Sequence, residues 1–166
     1  MSTLPLYWRE VHGFRENGIG LLLAFNASII VLFEMVLSHW AEKRKRMFLF
    51  GLGTFLVCLG FGLMPLGAGT PYVMFTVLVW TLGEMLALPL MNAVVADRSG
   101  PANRGRYMGM ITMSFSIAFM LAPLAGTFVL DRFGPNALWY GIGLLGPPLW
   151  AGALVLAGPL CRGRRD

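Results

Sequence analysis

Charge is scarce in this chain, and its long apolar stretches hold almost none. Asp, Glu, Lys and Arg together make up 13% of the 166 residues, roughly half the share in a soluble domain. Cysteine and histidine are nearly missing too, with two of each. Cys58 sits inside an apolar run and Cys161 in the tail, so the pair supports no disulfide framework. His12 and His39 fall at opposite ends of an apolar segment and make no metal set with the acids. No Gly-x-Ser-x-Gly, His-Glu-x-x-His or phosphate-cradling glycine loop occurs, which argues against an enzyme and against a bound cofactor. Met1 to Trp8 lacks a basic region ahead of an apolar one and does not read as a signal peptide. Met108, Met110 and Met113 suit a soft-metal path less well than adaptable packing.

What the chain does have is five apolar segments, about Gly18–His39, Met47–Leu66, Pro71–Ala96, Gly105–Leu130 and Ala137–Leu160. About twenty apolar residues rise far enough as a helix to cross a hydrocarbon core of about 30 Å. The expected class is an all-α integral membrane protein with five transmembrane helices. Its basic residues follow one pattern. Lys43, Arg44, Lys45 and Arg46, then Arg98, Arg104 and Arg106, then Arg162, Arg164 and Arg165 all lie on alternate connections. Only Arg9, Arg15 and Arg132 lie on the other side, where Glu10, Glu16 and Asp131 offset them. Positive loops stay inside, so the N-terminus is expected outside and the C-terminus in the cytoplasm. The net charge of +5 thus reports topology, and no nucleic-acid partner is expected.

Residues 1–17 are too short to span and read as an external stub, whose Tyr7-Trp8 pair suits a membrane interface. Residues 18–166 form the five-span domain. The connection Asp97 to Arg104 is expected as a polar loop, and Gly13 to Gly20 as a short external one. Small residues four apart, Gly20, Ala24 and Ser28 in the first span and Ala118, Ala122 and Gly126 in the fourth, predict close helix contacts. Pro65, Pro89, Pro123 and Pro147-Pro148 are expected to break or bend helices.

Two acids, Glu34 and Glu84, lie inside the spans. Glu84 falls near the middle of the third. A charge at that depth is costly, so this side chain reads either as a proton carrier or cation ligand, or as a hydrogen-bonded acid joining two helices. Val77, Trp80, Thr81, Leu88 and Met91 share its broad face, and an aromatic such as Trp80 beside it would suit a lipophilic cation. Glu34 lies near the basic end of the first span, where pairing with Arg104 or the basic loop is the expected role ahead of proton coupling. Asn26 lies deeper and could bond substrate or a neighbouring helix. Asp97, Arg98, Arg104 and Arg106 form a basic-end cluster that could close a gate or merely set orientation.

Three segments resemble the C-terminal half of major facilitator superfamily transporters, in particular the drug:proton antiporter-like branch. The first is Gly20-Leu-Leu-Leu-Ala-Phe-Asn26 leading to Leu37-Ser-His-Trp-Ala-Glu42 and the basic run. The second is Thr81-Leu-Gly-Glu-Met85, with Pro89 and Ala96-Asp97 beyond. The third is Pro101-Ala-Asn-Arg-Gly-Arg-Tyr-Met-Gly109, followed by Ala122-Pro-Leu-Ala-Gly126 and Asp131-Arg-Phe-Gly134. The resemblance implies that the stub matches the outer end of a seventh helix and the spans match helices eight to twelve. A partial C-terminal bundle is then expected, with an N-terminal half missing in cis or supplied in trans. The family's basic-loop glycine is absent from Glu42-Lys43-Arg44-Lys45-Arg46.

The resemblance further implies that the first, third and fourth spans line a cavity while the second and fifth are peripheral. It implies secondary active transport in a bacterial inner membrane, as proton-coupled efflux of a small lipophilic or cationic molecule by alternating access. The partners are then the bilayer, the substrate and protons. Candidate substrate or proton sites are Glu84, Asn26, Trp80, Thr81 and Glu34, and candidate gate residues are Asp97, Arg98, Arg104 and Arg106. The competing expectation is a non-transporting remnant, or a subunit needing a separate half.

Overall fold

The computed structural model describes residues 3–42 and 44–162, with the side chains of all of these except Glu42, Arg98, Pro101 and 157–162. The described residues are helical with no strand. Six helices follow in order, α1 Thr3–Glu10, α2 Glu16–Glu42, α3 Arg46–Leu63, α4 Thr70–Arg98, α5 Gly100–Phe133 and α6 Pro135–Arg162, with a 3-10 turn at Met64–Leu66. Helices α2 to α6 are long and apolar enough to cross a membrane, as an integral multi-pass protein requires.

The connections are shorter than the sequence suggests. Only Ser99 separates α4 from α5, and only Gly134 separates α5 from α6. The expected polar loop from Asp97 to Arg104 is therefore helix on both sides of Ser99. Gly100 takes a φ of +62° and Gly134 one of +88°, which a residue with a Cβ resists. Proline follows each glycine and opens the next helix, where its missing N–H is no loss. The expected external loop shrinks likewise, because α2 already begins at Glu16.

Proline within the spans ends little. Helices α4, α5 and α6 run through Pro89, Pro123 and Pro147-Pro148. Pro65 alone accompanies a change, from α3 into the 3-10 turn. There the Tyr72 hydroxyl donates to the Leu63 carbonyl at 2.7 Å, satisfying one of the acceptors that a helix end leaves open.

Helix α3 lies between α4 and α6, and glycine makes both contacts. A Cβ on Gly53 would fall 2.8 Å from the Ala87 backbone nitrogen, and one on Gly60 would fall 2.7 Å from that of Trp80. Gly62 meets Gly143 of α6 backbone to backbone, so that a Cβ on either would fall within 3 Å of the other's Cα. In lipid, such close approach replaces the hydrophobic effect as the source of helix association.

The small-residue stripes predicted for α2 and α5 do not behave this way. Gly20, Ala24, Ser28, Ala118 and Ala122 are exposed. Gly126 is the exception, packed under the Thr3 side chain of α1. Helix α1 also corrects an expectation. Tyr7 and Trp8 do not face an interface but are fully buried. With Leu4 they pack into a core of Leu22, Met64, Val73, Val77, Trp80 and Trp139. The Tyr7 hydroxyl donates to Asn136 Oδ1 at 2.9 Å, and its ring meets Trp139 edge-on at 5.2 Å. A smaller core of Ala41, Leu49, Leu86 and Leu90 closes the basic end.

Candidate functional site

Two polar side chains meet halfway along the spans. Asn26 of α2 donates from Nδ2 to Thr81 Oγ1 of α4 at 2.7 Å. Both residues lie roughly 15 Å along the axis from the start of their helix, near the middle of a bilayer-spanning segment. The Thr81 hydroxyl donates in turn to the Val77 carbonyl at 2.6 Å. A threonine hydroxyl has one proton, so Oγ1 can only accept from Asn26. That settles which end of the amide faces Thr81 and leaves Asn26 Oδ1 outside this bond.

Glu84 follows on α4, one turn beyond Thr81. At about 100° per residue, it stands about 60° around the helix from Thr81 and about 40° from Trp80. Thr81 marks the side of α4 that meets α2, while Trp80, Gly83 and Ala87 mark the side that meets α3. Glu84 is half-buried between these sides, and no hydrogen bond or ion pair reaches it among the described residues. Trp80 is fully buried against α3, its ring 4.7 Å from that of Phe61, and its indole nitrogen has no partner among the described residues. The aromatic therefore packs inward beside the acid's position.

Glu34 is exposed near the basic end of α2, and no ion pair joins it to Arg104 among the described residues. Thr112, Ser114 and Ser116 of α5 are exposed and bond their own helix backbone four residues back, the usual way a hydroxyl is satisfied in an apolar helix.

Of the basic-end cluster, Asp97 at the end of α4 pairs with Arg46 at the start of α3. Sequence reasoning had placed Arg46 in the basic run without assigning it this partner. Arg104 and Arg106 are exposed in the first turns of α5. The Arg98 side chain, Lys43, Arg164 and Arg165, and the side chains of Cys161 and Arg162, lie outside the described set. A surface hollow lined by Arg9, Gly13, Phe14, Arg15, Glu16 and Asn17 lies where α1 turns into α2, and neither Asn26 nor Glu84 lines it.

Sequence reasoning also missed Tyr7 and Asn136 as partners, and the glycines of α3. The latter had a signal. Gly53 and Gly60 are seven residues apart and so share one face.

Similarity to known proteins agrees with this architecture. The family model described as Major Facilitator Superfamily matches residues 1–161. An uncharacterized MFS-type transporter, YqjV of Bacillus subtilis, is 28% identical over 158 residues, covering 90% of this chain and 38% of the relative. A Na(+), Li(+), K(+)/H(+) antiporter of Planococcus maritimus is 23% identical, covering 86% of this chain and 32% of its own length. Multidrug resistance protein MdtH of Escherichia coli is 22% identical, covering 88% and 37%. The chain thus spans between 32% and 38% of the length of these relatives. No solved structure matched. With a family match from residue 1 to 161 and five apolar helices packed as a bundle, the chain belongs to the Major Facilitator Superfamily.

Proposed function

We propose that this chain forms part of a secondary active transporter that exports a small lipophilic or cationic molecule against an inward flow of protons. One observation carries the reading. The Asn26–Thr81 bridge ties α2 to α4 at mid-span, with the half-buried Glu84 one turn away. A carboxyl group at that depth can take up a proton from one side. It can release that proton when rocking of the bundle opens its surroundings to the other side. As an anion it can instead bind a cationic substrate, which couples the two events at one atom pair. Asn26 Oδ1, outside the bridge, adds an acceptor for a substrate N–H. Arg106, in the first turn of the fourth span, is the one basic residue inside the apolar segments, and none stands at mid-span, which disfavours an anionic substrate on this side of the cavity. A relative named as a cation/H(+) antiporter and one named as a multidrug resistance protein lend support to a proton-coupled reading.

In this reading, Asp97 and Arg46 hold the ends of α3 and α4 together at the basic end. Arg98, Arg104 and Arg106 complete a network that closes when the site faces the opposite side.

The test is proton-driven efflux in everted vesicles carrying the complete transporter with Glu84→Gln. The expected result is loss of efflux with normal membrane insertion. Full efflux would remove Glu84 from the mechanism.

A second reading is favoured by the open faces of α2 and α5. The chain could be a subunit that needs a separate half, or a remnant that transports nothing. Blotting source membranes for the tail ending at Asp166 decides between these. A band near 18.2 kDa with a co-purifying multi-span partner means a subunit. The same band without a partner, and rapidly degraded, means a remnant.

A further inference from the structure

At the basic end, between α2 and α3, the cations are arranged unequally. Arg46 is neutralised by Asp97. Arg44 instead lies over the ring of Trp40, its guanidinium carbon 4.7 Å from the ring centroid. Arg44 and Lys45 are exposed, and no carboxylate pairs with either among the described residues. Trp40 is 46% exposed and lies one residue before the end of the apolar span that finishes at Ala41. An exposed indole at the end of a spanning helix marks the headgroup level of a bilayer. The stacked Arg44 is thereby held at the same level, with no acceptor for its N–H edge among the described residues. Neighbouring Lys45 adds a second cation. A planar guanidinium suits the paired oxygens of a phosphate.

We propose that Trp40, Arg44 and Lys45 form a binding site for the headgroup of an anionic phospholipid, with the indole against the upper acyl chain and the two cations on the phosphodiester. Charge complementarity favours a lipid anion over a zwitterion, since the added ammonium of a zwitterionic headgroup would meet two cations. The depth set by Trp40 favours a lipid over a soluble phosphate. The site is independent of the transport reading, because it involves neither Glu84 nor the mid-span bridge.

The test uses the full chain in phosphatidylcholine nanodiscs containing a minor fraction of brominated phosphatidylglycerol. Quenching of Trp40 fluorescence, isolated by difference from Trp40→Phe, is compared with that from brominated phosphatidylcholine at the same fraction. The expected result is preferential quenching by the anionic lipid. Each cation near an anionic lipid surface is worth roughly a fivefold preference, so Arg44→Gln with Lys45→Gln should lower the enrichment by about tenfold or more. Arg104→Gln with Arg106→Gln removes equal charge elsewhere at this end and should change it by less than about twofold. Equal loss in both double variants would overturn the site in favour of net charge alone. Absence of enrichment in the parent chain would overturn it outright. Displacement of the lipid by millimolar inorganic phosphate would also overturn it, by showing a soluble-anion site.

Discussion

Helices α4 and α5 have nearly the same mean hydropathy, 1.8 and 1.9, yet half of an 18-residue apolar stretch of α4 is buried and only 6% of the corresponding stretch of α5. Both are long, both contain a proline, and both begin with a proline in the first turn. The difference lies in what faces them. Helix α4 has Gly83 opposite Gly53, and its Trp80 covers Gly60. Helix α5 exposes Met113, Phe119, Met120, Leu124 and Phe128, with Gly126 as its one tight glycine contact. Apolarity therefore says that a helix belongs in lipid, while small residues on matched faces say which helix it packs against. The open faces of α2 and α5 are free for lipid or for further helices, and the packed trio α3, α4 and α6 is fixed without them.

The largest break in this comparison should come from α3. Gly60→Val would drive a side chain into the Trp80 backbone, and Gly53→Val would do so at Gly83 and Ala87. Backbone cannot yield as a flexible side chain can, so each should cost more than about 4 kcal/mol or prevent folding. Denaturant titration in detergent, followed by circular dichroism, would read this, and a variant that unfolds like the parent would refute the packing. By contrast Gly20→Ala on α2, where a Cβ meets nothing within 4 Å, should stay within about 0.5 kcal/mol.

Next comes α1, whose attachment rests on its aromatic pair. Trp8→Ala empties a fully buried position and should cost about 3–5 kcal/mol. Tyr7→Phe keeps the ring and loses only the bond to Asn136, for about 1 kcal/mol. Similar losses from the two variants would mean that α1 is held by something other than this core.

The mid-span bridge should contribute less to stability than to transport. Cross-helix hydrogen bonds in membranes average about 0.6 kcal/mol, so Thr81→Val, which keeps the shape, should scarcely shift unfolding. It should nonetheless alter substrate preference in an efflux assay of the complete transporter, because the Asn26 amide is then free to turn. Unchanged preference would reduce the bridge to a structural link.

The smallest effect concerns pH. His12 lies in the turn between α1 and α2, edge-on to Tyr7 at 5.5 Å and tilted on Phe14 at 6.2 Å, and its Nε2 is buried without a partner among the described residues. Burial lowers its pKa below the ordinary value of 6.5, so the fold holds it neutral. The unfolded chain then binds the proton more readily. Stability is whole above the ordinary histidine range and declines as pH falls through 6.5 toward the lowered folded value. Melting curves in detergent between about pH 8 and 5 should show this slope, and His12→Phe should flatten it.

The acid Glu84 was legible from the sequence because one charge in a long apolar run is conspicuous. Its neighbour relations were not. Trp80 shares a broad helical face with Glu84, but only the packed structure shows that its ring lies on Phe61. Asn26 and Thr81 stood in separate spans 55 residues apart, and nothing local joins them. Likewise the pairing of Asp97 with Arg46 depends on α3 and α4 being antiparallel neighbours.

By itself the sequence determined the class, the five spans and the sidedness of charge, since these depend on hydration, which acts residue by residue along the chain. Where each connection turned was half legible, because glycine and proline mark a turn without stating how tight it is. Tertiary structure alone decided that α3 is the packing centre, that Tyr7 and Trp8 of α1 belong to the core, and that the stripes on α2 and α5 stay open. Those outcomes depend on which faces meet. A backbone contact between Gly62 and Gly143 exists only when two distant helices arrive at the same place, and no local pattern contains that information.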